Sequence, residues 1–174
     1  MQLVVSFCNL RVPSLPSLGL IDTTTLGFSA LRLPEELPRI KGITGLAFDE
    51  RYFYAGIQAL GLPEGEGFGG VSSLLVLDRR DFSLVSHQAF RTVVEVHSLC
   101  LIGHVLYCVS TGTDEVVAVK LRDGCVAGES VFWRPDPSGP REDLHHLNSY
   151  AYPVDSRYLC RNIRGWAGRT FRRL

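Results

Sequence analysis

Short apolar runs separated by polar or glycine-bearing turns recur along this chain. In Ser73–Asp78, Leu75 and Leu77 alternate with Val76 and Asp78, and Val116–Leu121 alternates similarly ahead of Asp123-Gly124. A period of two marks β-strands rather than helices. Asp78–Asp81 and Leu121–Gly124 read as tight polar turns leading into Phe82–Phe90 and Cys125–Trp133. The pattern predicts strands over roughly 43–49, 52–58, 72–78 and 82–90, then 95–101, 105–111, 115–121 and 125–133. Helical character is confined to Pro34–Leu37, and it is weak there.

The strands repeat. Ile43–Phe48, Val96–Leu101 and Leu147–Tyr152 can be laid over one another at a spacing of a little over fifty residues. Each is followed, after a turn, by a second apolar run: Phe53-Tyr54-Ala55, Leu106-Tyr107-Cys108 and Tyr158-Leu159-Cys160. Leu3-Val4-Val5 supplies a fourth copy of that second run. The small residues of its third column, Val5, Ala55, Cys108 and Cys160, are 50, 53 and 52 positions apart. Such a period in a strand-rich chain is the mark of a radially repeated sheet. The expected fold is therefore all-β, a β-propeller of four-stranded antiparallel blades. Its units fall at roughly 1–38, 39–92, 93–135 and 143–174. These three to four blades would not close a ring, so the chain reads as an incomplete propeller, a fragment of a longer one, with sheet edges open to self-association.

Composition narrows the partners. The 174 residues carry 18 basic and 18 acidic side chains, so no overall field argues for nucleic acid or an anionic membrane. No apolar stretch reaches the roughly 18–20 residues of a membrane helix, and Met1–Leu10 lacks the basic start of a secretory signal. The five cysteines form no CxxC pair and read as small buried hydrophobes in a reducing, cytoplasmic setting.

Antiparallel pairing places the entry of each first strand and the exit of each second strand on one side. Thr44, His97 and Asn148 share one repeat column at those entries; Gly42, Glu95 and His146 stand two positions earlier. Glu95, His97, His146 and Asn148 are thus expected to converge on one ligand-binding site, with Asp143 and His145 beside them. Imidazole and carboxylate suit a transition metal, so His97, His146 and Asn148 are also candidate ligands of a divalent cation. The bland alternative is that these groups tie down backbone between blades. His87 and His104 read as solvated. The run Gly61–Gly70, with Glu64 and Glu66, suggests a cover over the site; a strand follows it, not the helix a phosphate loop requires. The basic residues Arg161, Arg164, Arg169, Arg172 and Arg173 read as a solvated tail, whereas Trp166 could stack on a ligand. No GxSxG motif is present.

The segments LVVSFCN, ITGLAFDERYFYAGIQ, LLVLDRRDFSLVS, VHSLCLIGHVLYCVSTGTDEVVAV, ESVFWRP and EDLHHLNS together resemble a bacterial family of propeller-like proteins. That family is known only as a domain of unknown function (number 4915), and a related conserved hypothetical group has Asp and His ahead of a similar Leu-Asn pair. The likeness runs along most of Leu3–Tyr152. It implies a propeller and no established activity. More distantly, the blade pattern is similar to gluconolactonase and strictosidine-synthase-like propellers, which implies a channel-mouth metal with Asn148 as the tempting match.

Three functions follow as expectations. The first is binding of a small molecule or protein partner at the channel mouth; the second is a metal-dependent hydrolase of the lactonase type. The third is an architectural repeat with no site of its own.

Overall fold

The computed structural model describes residues 1–8, 16–33, 37, 40–59 and 71–148. Within them the chain is all-β, and no helix is long and apolar enough to cross a membrane. Strands β1 (Gln2–Ser6), β2 (Leu18–Asp22) and β3 (Phe28–Leu31) form one sheet. Strands β4 (Ile40–Phe48), β5 (Tyr52–Ala59), β6 (Val71–Asp78) and β7 (Leu84–Val94) form the second. The third contains β8 (Val96–Ile102), β9 (Val105–Ser110), β10 (Glu115–Arg122) and β11 (Cys125–Trp133). Every pairing is antiparallel between chain neighbours, and among the described residues no sheet closes on itself.

Leu46 pairs Ala55 in the second sheet, and Leu99 pairs Cys108 in the third. Between β10 and β11, Asp123 (φ 50°) and Gly124 (φ 75°) form the two-residue loop that right-twisted hairpins favour. Between β7 and β8 only Glu95 breaks the strand run; β7 continues to Val94, past the expected end at Phe90.

Two apolar clusters hold the sheets together. Ile43, Phe53, Ala55, Ile57, Leu75 and Leu77 pack with Leu18 between the first and second sheets. Tyr52, Tyr54, Leu74 and Val76 pack with Leu99, Leu106, Cys108, Val117 and Val119 between the second and third. Neighbours in β5 and β6 therefore enter opposite clusters, as strand geometry requires. This two-sided burial explains why β6 reads as a nearly continuous apolar run rather than a clean alternation. Away from the core, the Glu129 carboxylate in β11 accepts from Arg91 N, Thr92 N and Thr92 Oγ1 of β7, and Gln88 Oε1 accepts from Val126 N.

One irregularity recurs and positions the site. In β4, Ile43 pairs Ile57 and Gly45 pairs Gly56, which leaves Thr44 as a surplus residue. In β8, Val96 pairs Ser110 and Ser98 pairs Val109, which leaves His97 surplus. Both are β-bulges, at the same repeat position. A bulge shifts the alternation by one, so residues three apart share a face: Ile43 with Leu46, and Val96 with Leu99. The bulged side chains are re-aimed away from the ladder.

The cysteines correct the expectation of uniform burial. Cys108 is buried and Cys100 half-buried, but Cys8 and Cys125 are exposed. His104 is exposed at a turn as expected; His87 is half-buried, lies 2.9 Å from Ser73 Oγ, and is held below the usual imidazole value by burial.

Candidate functional site

A cavity of about 940 Å³ opens where the starts of β4 and β8 and the ends of β1 and β5 meet residues 141–148. Thr44 and His97 line it from their bulges, and Glu95, Asp143, His146 and Asn148 complete one wall. Five of the six residues expected to bind ligand therefore share one cavity.

His97 is the centre of the group. Its Nδ1 lies 3.2 Å from Asn148 Oδ1, and its ring meets the His146 ring edge to face at 5.6 Å between centroids. His146 Nδ1 in turn lies 3.0 Å from Asp143 Oδ2. The hydrogen bond and charge of Asp143 raise the His146 imidazole above its ordinary value, with smaller contributions from Glu95 and Asp114. Glu95 and His146, one repeat apart, both adopt left-handed backbone at φ 52° and 53°. Such geometry costs a non-glycine residue on the order of 1–2 kcal/mol and gathers at functional sites.

Hydroxyls tie each unit to the next at this rim. Thr44 Oγ1 donates to the carbonyl of Val96, and Thr111 Oγ1 donates to that of Leu147 at 2.5 Å. Val96 and Leu147 stand at one repeat position. Val96 N is held by Ser72 Oγ at 2.9 Å, and Ile43 N donates to Phe7 O at 3.0 Å.

Residues 141–148 carry no strand, so side chains hold them in place. Asp114, in the turn before β10, accepts from the backbone N–H groups of Leu144, His145 and Leu147 at 2.6–3.0 Å. Burial would raise its carboxyl, but these donors and the His145 imidazole outweigh it and hold the group below the usual carboxylate value. The next residue, Glu115, is fully buried and takes both ends of the Arg141 guanidinium at 3.0 and 2.7 Å.

Two sets of expected residues are placed as follows. His145 does not join the cavity wall; its Nδ1 lies 3.0 Å from Asp114 Oδ2, so it helps to anchor the segment. His97, His146 and Asn148, expected to hold a cation, are drawn together by ring contact and hydrogen bonding. Among the described residues no group of three or more His, Cys, Asp or Glu is placed to hold a metal ion. The expected cover with Glu64 and Glu66, the arginine tail and Trp166 lie outside the described residues.

Four contributors were not anticipated from sequence: Gln58, Asp114, Glu115 and Arg141. Glu115 alone carried a signal, as an acid directly beside the apolar run of β10. A second cavity, of about 830 Å³, lies toward the other ends of β4 and β8 and is largely apolar, with Arg79 stacked 4.8 Å over Phe48. None of the expected site residues lines it.

No protein-family model matches the chain, and comparison with curated proteins and with solved structures finds no match.

Proposed function

We propose that the three sheets are successive blades of a β-propeller and that the cavity at their common rim binds a small polar molecule. What supports this reading most is the convergence of His97, Asn148, His146, Asp143 and Glu95 on one cavity, although they come from stretches about fifty residues apart. Bulges at Thr44 and His97 and left-handed backbone at Glu95 and His146 support it further. The lactonase-type alternative depends on a cation, and among the described residues no group of three or more His, Cys, Asp or Glu is placed to hold one.

The test is a thermal-shift screen of the full chain against polar metabolites, repeated with His97→Ala and Asn148→Ala. A ligand that raises the melting temperature of the parent, and not of the folded variants, is the expected outcome. Unfolding of both variants with no ligand found would leave an architectural role in its place.

A further inference from the structure

We infer that the ligand of this cavity is a small organic cation bearing an ammonium or guanidinium group; this rests on the binding reading above. The charges that face the cavity are unbalanced. Glu95 and Glu142 line it and make no side-chain hydrogen bond or ion pair with a described residue. Asp143 spends one oxygen on His146 Nδ1. Among the described residues the one arginine in the lining, Arg141, is held bidentately by Glu115, and Arg134 adds a contact at 3.7 Å to the same buried carboxylate. Arg141 is thus already matched by a carboxylate outside the lining. Asp143 is matched by His146, so among the described residues Glu95 and Glu142 are left as carboxylates of the wall without a positive partner, which favours a cation and repels an anion.

A buried amide points the same way. Gln58 is only 6% exposed and lines the cavity. Its one hydrogen bond to a described residue is long, 3.4 Å from Nε2 to Val96 O. No described residue donates to its Oε1. Gln58 lines the cavity, and a buried acceptor of this kind is normally satisfied. Carboxylates and an amide oxygen together form an acceptor-rich wall. Ammonium and guanidinium groups offer three and five donors and no acceptor, and so match it.

Isothermal titration of the full chain at low salt tests the assignment with four probes: butylammonium, methylguanidinium, butyrate and sorbitol. One or both cations should bind at least about tenfold more tightly than butyrate or sorbitol. Glu142→Gln, on the exposed segment, and Glu95→Gln should each weaken that binding about tenfold. Tighter binding of butyrate or sorbitol would overturn the cation and leave the binding site standing. Cation affinity unchanged in both variants would overturn this site for the cation. Failure of every probe would also overturn the cation, while the metabolite screen judges the cavity independently.

Discussion

His97 Nδ1 lies 3.2 Å from Asn148 Oδ1, 51 residues away in the chain and at the same position of the repeat. An amide oxygen can only accept, so this bond requires the neutral His97 ring to carry its proton on Nδ1. Long-range proton–nitrogen NMR should find that tautomer dominant in the parent. Asn148→Ala should abolish the preference at a stability cost of no more than about 1 kcal/mol, because the bond is exposed.

The Asp143–His146 pair predicts a pH signature. The raised His146 value means its contribution is fully present below the ordinary imidazole value and lost as pH rises through the raised one. Asp143→Asn should move the NMR titration midpoint of His146 down toward the ordinary value. The stability gap between parent and variant should close as pH rises from below the ordinary imidazole value through the raised one. A midpoint that stays in place would remove the pairing.

Asp114 has the opposite sign. Its depressed carboxyl stabilises the fold above the ordinary carboxylate value, and that contribution fades as pH falls through the lower, folded one. Asp114→Ala leaves three backbone donors without their acceptor and should cost on the order of 3 kcal/mol in urea denaturation at neutral pH. Proteolysis within residues 141–148 should accelerate in the same variant.

Gly45 sets how closely β4 approaches β8. A Cβ there would sit 2.7 Å from Leu99 Cγ, 2.9 Å from Leu99 N and 3.0 Å from the Ser98 carbonyl carbon. Two of those atoms are backbone and cannot swing aside. Gly45→Ala should therefore cost about 3 kcal/mol by chemical denaturation, whereas Gly128→Ala, whose Cβ would meet nothing within 4 Å, should be nearly neutral.

Glu95 separates strain from recognition. Glycine tolerates φ 52° without penalty, so Glu95→Gly should gain up to about 1 kcal/mol in denaturant stability. The same variant should lose ligand affinity. A stabilised protein with unaltered binding would leave the strain without a role.

The strands of the second and third sheets were legible because short apolar runs and turn chemistry act locally. The repeat column holding Thr44, His97 and Asn148 was legible for the same reason, as a spacing along the chain. The bulges were not: nothing in the residues around Thr44 or His97 marks which strand carries the surplus position. The anchoring of 141–148 was also hidden, because Asp114 and Glu115 meet partners 26 to 33 residues away. His145 and His146 are adjacent and alike in type, yet one anchors and the other faces the cavity. Backbone sign decides between them, since His146 alone turns left-handed.

The ladder of the third sheet runs past His97 without using it, since Val96 and Ser98 take consecutive partners on β9. Its identity is therefore almost free of any pairing requirement. Substitution there leaves the ladder intact, so on the proposed binding reading that single codon is where specificity can diverge while the surrounding sheets keep folding as before.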